Sequence, residues 1–206
     1  MTVIDASPAT HYNTGNKPAE RAAQPEGIMD LKEYILLELS GLERNLKRTT
    51  DTLTDAEIAW RPACGCNSIS LILYHVARSQ DMFVSGRLKG AAEVWETGKW
   101  WEKLNVPKDE AGAHYTADQV NAFPCPEMKP LLDYWAAVQK MTVEYAGTLT
   151  AADFDRKIEM GGPFGTPPAA AIWSLIVMHN SGHFGEISYL RGLQRGQEPM
   201  GPPPKK

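Results

Sequence analysis

Four stretches of this chain place apolar residues in steps of three and four, the spacing that gathers side chains on one face of an α-helix. That period constrains the fold more than any other feature of the sequence. Ile28, Leu31, Ile35, Leu39, Leu42 and Leu46 predict a first amphipathic helix of about 20 residues. A second opens at an Asn67 or Ser68 cap. Its inward stripe takes in Ser68, Leu71, Ile72, His75, Ser79 and Met82, with Arg78 and Asp81 towards or beyond the edges. Leu131, Tyr134, Val138, Met141 and Tyr145 mark a third helix. The fourth carries Ile172, Ile176, His179, His183, Glu186 and Leu190, with Thr166 and Pro167 at its Ncap and N1 positions and Gly196 near its end. With no convincing strand pairs and no repeat, the expected fold is all-α, a four-helix bundle with a long crossover between helices two and three.

The connections carry their own signals. Thr54 and Glu57 have the spacing of a capping box, opening a short helical turn that Pro62 ends. Trp60, Arg61 and Pro62 are read as a plug between helices, with Arg61 a candidate to pair a buried acid. The crossover, from about Gly90 to Pro126, has a weak helix start at Thr116 with Gln119 three residues on. So long a connection in a compact domain is usually functional, here as a cover over the bundle mouth, with Trp95, Trp100, Trp101 and Phe123 pinning it down. Thr150 and Asp153 resemble another helix start, and Gly161 to Gly165 a turn or short hairpin. The domain division expected is an irregular arm at 1–26, a bundle domain at 27–197 and a Pro-rich tail at 198–206.

Composition narrows the partners. The 206 residues, 43% of them hydrophobic, suffice for one sizeable core. A formal charge of −4 and the lack of a dense basic run disfavour nucleic acid and anionic membrane, leaving a small molecule as the expected partner. Three cysteines and no signal-like apolar leader point to a reduced, cytoplasmic protein.

Three of the histidines fall on inward stripes. His179 and His183, an i, i+4 pair, differ by only about 40° around a helix axis and about 6 Å along it. Alone, that spacing also describes two half-buried rings satisfied by hydrogen bonds. With His75 on a second stripe, three imidazoles would share one core, and a divalent cation that all three ligate removes the cost of burying them unpaired. Three neutral ligands leave the ion's charge intact and its other positions open, which favours hydroxide or thiolate near neutral pH. Asn180 stands where a zincin helix has its catalytic Glu, so that protease mechanism is not available. Glu186, three residues beyond His183, is the candidate catalytic group: a proton shuttle, a fourth ligand or an Arg partner, with support of a ligand from behind preferred over ligation. Gly182 and Gly185 provide either close helix packing or room for a ligand. Cys64 and Cys66 are read as incidental loop thiols, and His11 and His114 as solvated.

Leu53-Thr54-Asp55-Ala56-Glu57, Trp60-Arg61-Pro62, Asn67-Ser68-Ile69 and His75 come in that order. They are followed by His179, His183-x-Gly185-Glu186-Ile187 and Tyr189-Leu190-Arg191-Gly192-Leu193. Together they resemble the DinB/YfiT-like superfamily from about Ile28 to Gly196. The resemblance implies a four-helix bundle, often dimeric, in which one histidine of the second helix and two of the fourth, here His75, His179 and His183, bind a divalent metal. Three imidazoles suit zinc, nickel or iron as the ion, and the resemblance further implies a low-molecular-weight thiol as cosubstrate and thiol transfer to, or isomerisation of, a small electrophile. A non-catalytic metal- or ligand-binding stress-response module and a metal-dependent hydrolase are the alternatives. Glu186 departs from the family, where Gln is frequent.

Overall fold

The computed structural model describes residues 29–110 and 112–196. The expected arm at 1–26, the tail at 198–206, His11 and Ile28 lie outside the described residues. Asp30 and Glu33 exchange side-chain to backbone hydrogen bonds of 2.8 and 2.9 Å, a reciprocal cap that opens α1, Leu31–Thr50. Ile35, Leu39, Leu42 and Leu46 point inward as the stripe predicts, while Leu31 stays at the surface.

Thr54 and Glu57 form the expected capping box of α2, Asp55–Ala59. The Glu57 carboxylate also receives Arg195 from the far end of the chain, at 2.6 Å, and Arg195 with Thr54 holds its pKa down at about 2. The plug expected next is only partly one, because Trp60 is well exposed. Arg61 donates to the Val120 carbonyl at 2.8 Å and to the Cys125 thiol at 3.2 Å, so its partners are crossover atoms rather than an acid.

Ser68 caps α3, Ile69–Asp81, which widens into a π-helical stretch, Met82–Lys89, and stops at Gly90 in the left-handed region. Nearly all of α3 is buried, with only His75 and Arg78 in part exposed. The predicted stripe was therefore too narrow at Asp81, which is fully buried, and wrong at Met82, which faces outward. The crossover buries Asp81, since it covers what would otherwise be the outer side of the helix, and Met82 turns outward where the helix widens into its π-helical stretch. Oδ1 of Asp81 accepts from the Ser85 hydroxyl at 2.7 Å and the Val94 N–H at 2.9 Å. Its Oδ2 accepts from the Trp95 N–H at 2.7 Å and the Tyr134 hydroxyl at 3.0 Å.

Within the crossover lie α4, Val94–Thr97, α5, Trp100–Leu104, and α6, Ala117–Ala122, the last opened by the predicted Thr116–Gln119 box. Trp95, Trp100 and Phe123 are buried, and the Trp95 ring lies 5.8 Å from Tyr74 and 5.6 Å from Tyr134. These aromatics pin the segment as expected.

α7, Met128–Thr148, buries Leu131, Tyr134 and Val138, and α8, Ala151–Asp155, follows the Thr150–Asp153 box. In the predicted turn, Lys157 bridges Pro168 and Gly161 bridges Gly165. That pairing delays the last helix. The Ile158 N–H donates to the Pro167 carbonyl and the Ala169 N–H to the Arg156 carbonyl, so Thr166 and Pro167 are not its start. Instead α9 runs Ala169–Arg195 behind an extended Pro168 and closes at Gly196.

α1 packs on α9 and α7, and α3 on the same two helices, which makes a four-helix bundle. Arg191 reaches the Thr49 and Asp51 carbonyls, so α1 and α9 end at the same end of the bundle. Among the described residues no helix is long and apolar enough to cross a membrane. Replacing Asp81 with Ala leaves buried donors on three segments without an acceptor. Such a deletion costs about 3 kcal/mol or more, expected as a lower urea midpoint and a red-shifted tryptophan emission.

Candidate metal centre

The buried line of α9 runs through Ile172, Ile176, Asn180, Phe184, Ile187 and Leu190. This shifts the face predicted from the sequence: His179 and His183 lie on its flank, half-buried, and Glu186 is exposed. A residue next to the line is turned about 100° from it, which sets both imidazoles at the border between core and solvent. His75 approaches from the half-buried side of α3. Among the described residues, these three histidines form a group whose ligand atoms all lie within 4.8 Å of one another. Cys64 and Cys66 do not join it, and the Cys64 thiol instead accepts from the Asn121 amide at 3.0 Å.

Each ring is held from behind by a different kind of acceptor. His75 Nδ1 lies 2.6 Å from the Gly112 carbonyl. His179 Nδ1 lies 3.1 Å from the Asn180 Oδ1, and His183 Nδ1 lies 2.9 Å from the Glu186 Oε2. None of these oxygens donates, so each Nδ1 carries a proton, and in the neutral ring Nε2 is then the atom left with a lone pair. The Nε2 atoms of His75 and His179 face one another at 2.9 Å. Two bare lone pairs at that distance repel unless a cation lies against both. Burial is the main cause that lowers the pKa of both rings from the ordinary 6.5, and their neighbouring imidazoles lower it further. A proton is thus poorly accommodated there. Three neutral imidazoles suit zinc and other first-row divalent ions, and outer oxygens that orient such ligands are a recurrent part of metal sites.

The crossover supplies the mouth. Gly112 to Tyr115 line a pocket of about 260 Å³ together with Leu71, Ile72, Val120, His75 and His183. Gly112 has φ +75°, and a Cβ there would sit 3.1 Å from the Tyr74 ring, so glycine is what lets this carbonyl come so close to His75. Tyr115 donates to Glu110 Oε1 at 2.6 Å, and burial followed by that acceptor raises its phenol above the usual range. His114 is exposed at the rim, in keeping with its expected solvation. Nothing meets a Cβ added at Gly182 or Gly185, so close packing does not account for them and both leave open surface beside His183.

Sequence reasoning placed the three rings and Glu186 but missed two of the acceptors. Asn180 entered only as the absent zincin glutamate, although its place on the apolar line of the last helix marked it as a buried amide in need of partners. No local signal announces the Gly112 carbonyl.

The chain belongs to the DinB superfamily, whose model matches residues 38–187. Among solved structures, a conserved Enterococcus faecalis protein superposes with a TM-score of 0.73 at 22% identity, covering 82% of this chain and all of that one. YfiT from Bacillus subtilis superposes with a TM-score of 0.55 at 14% identity, covering 85% of this chain and 95% of that one. YfiT is described as a probable metal-dependent hydrolase with an unusual four-helix bundle topology. At these identities the likeness establishes the shared fold. A search of curated proteins finds no match.

The depressed imidazole pKa values fix a sign for acid sensitivity. Between the lowered values and the ordinary 6.5, the unfolded chain binds protons at His75 and His179 that the folded chain does not. Their contribution to stability is thus present above 6.5 and lost as pH falls through the folded-state values. The metal-free protein is expected to melt lower at about pH 5 than at about pH 7. A His75→Gln/His179→Gln double variant should show a flatter thermal-melt profile across that range.

Proposed function

We propose that this chain is a metal-dependent enzyme that holds a divalent ion (zinc, nickel or iron) at His75, His179 and His183. It uses that ion to activate a low-molecular-weight thiol, or water, against a small electrophile, by transfer or isomerisation. The supporting observation is the convergence of three imidazoles whose ligand atoms lie within 4.8 Å of one another, each with its Nδ1 engaged, where His75 and His183 line the pocket. When bound, the ion supplies Lewis acidity that brings a thiol or water towards its anionic form near neutral pH.

The protein's own residues do the rest. Gly112, Asn180 and Glu186 hold the Nδ1 side of each ring and keep the rings aimed. Glu186, with half of its side chain in solvent, both braces His183 and is the proposed proton carrier between the pocket and water. Leu71, Ile72 and Val120 give the electrophile an apolar wall, and the pocket volume suits a small substrate better than a drug-sized one. Water as the nucleophile is the second reading, favoured by the description of YfiT as a probable metal-dependent hydrolase. A cytoplasmic setting goes with the thiol chemistry and with the free Cys64, Cys66 and Cys125.

A homodimer is also proposed. Leu31, Tyr34 and Leu37 on α1, and Met178, Tyr189 and Leu193 on the adjoining α9, are exposed apolar side chains that a second copy would bury. Sedimentation velocity should then give about twice the 22.8 kDa chain mass. A monomeric mass removes the dimer.

His179→Ala is expected to lose most of the bound metal by elemental analysis while retaining the helical circular dichroism. Unchanged stoichiometry would overturn the assigned site. Assays of the metal-loaded protein with small electrophiles separate the chemistries: turnover only with added thiol supports transfer, and turnover without it supports hydrolysis. Metal binding with neither leaves a non-catalytic binding module.

A further inference from the structure

Behind His179 lies a chain of buried amides that crosses the whole bundle. Asn180 on α9, Gln80 on α3, and Gln139 and Thr142 on α7 are all buried polar residues. The Asn180 Nδ2 donates to Gln80 Oε1 at 2.6 Å. Gln80 Nε2 donates to Gln139 Oε1 at 2.9 Å and to the Thr142 hydroxyl at 3.0 Å. Gln139 Nε2 donates to the Leu39 carbonyl of α1 at 2.9 Å, and the Thr142 hydroxyl donates to the Val138 carbonyl at 2.8 Å.

This chain has a direction, and main-chain oxygens set it. A carbonyl only accepts, so Leu39 compels Gln139 to turn its NH₂ outward and its Oε1 towards Gln80. Thr142 has spent its one hydrogen on Val138 and offers Gln80 a lone pair. Both neighbours therefore demand the NH₂ of Gln80, which leaves its Oε1 for Asn180. Asn180 answers with its own NH₂ and turns Oδ1 to the His179 ring. An acceptor at that position requires the proton on Nδ1, which frees Nε2.

We propose that Gln80, anchored by Gln139 and Thr142, is a positioning residue that fixes the His179 tautomer through Asn180 and so prepares Nε2 as a metal ligand before any ion arrives. The function of this relay rests on the metal reading above, but the tautomer itself is a property of the metal-free protein. Without the relay the Asn180 amide could present either end, and a flipped amide would favour the Nε2–H ring, which cannot ligate through that atom.

Two measurements test it. Ring ¹⁵N shifts of the metal-free wild type at about pH 8, where imidazoles are neutral, should show His179 as a single Nδ1–H tautomer. A mixture like that of a solvated ring such as His114 would overturn the proposal, even if the protein binds zinc well. Gln80→Leu and Gln80→Glu form the second test. Glu retains an oxygen for the Asn180 NH₂, so its His179 shifts and zinc affinity should stay near wild type. Leu offers none, so it should mix the tautomers and weaken zinc binding about tenfold to a hundredfold. Both variants disturb the buried bonds to Gln139 and Thr142, and loss of affinity in proportion to melting temperature in both would assign Gln80 a merely structural role. Should either fail to fold, the wild-type shifts still decide. A fixed tautomer in a wild type that takes up no zinc would uphold the relay while removing the metal reading.

Discussion

Two imidazole nitrogens facing one another at 2.9 Å, with their protons committed elsewhere, are the constraint around which this bundle is organised. Lone pairs in that relation repel one another, and partial burial makes it harder for a proton to intervene. The fold bears this cost by surrounding the rings with oriented oxygens. A main-chain carbonyl, a buried amide and an exposed carboxylate each take one Nδ1 proton. The three acceptors come from the crossover and from two sites on α9, so the arrangement exists only once α3, α9 and the crossover have packed together.

Asp81 plays a comparable part for the polypeptide. A side chain that receives donors from the π-helical turn, from the start of α4 and from α7 ties the crossover to the bundle at one buried point. Around it, Trp95 fills the space between Tyr74 and Tyr134 while the Arg78 guanidinium covers its face at 4.6 Å. Long connections are usually the softest part of a domain, yet this one is tied to the bundle through Asp81 and Trp95.

Periodicity was enough to read the four long helices, because Leu39, Val138 and Ile176 repeat on faces that any bundle must bury. Capping chemistry located Thr54, Ser68, Thr116 and Thr150 for the same reason, being local. The three ligand candidates were legible since their spacing is a property of single helices. Asp81 and the start of α9 depart from the periodic reading for long-range reasons, and Met82 for a local one, the widening of the helix there. The crossover covers a face that periodicity assigns to solvent, and backbone pairing with residues 156–158 keeps 167–168 out of the helix. Asn180 and Gly112 escaped because the worth of an amide or a carbonyl depends on what faces it across the fold.

The Gly112 carbonyl is both a wall of the pocket and the oxygen behind His75. A molecule entering the mouth presses on the same few atoms that determine how strongly that imidazole gives its electrons. An outward displacement of the segment would lengthen the bond behind His75 and make its Nε2 a poorer base.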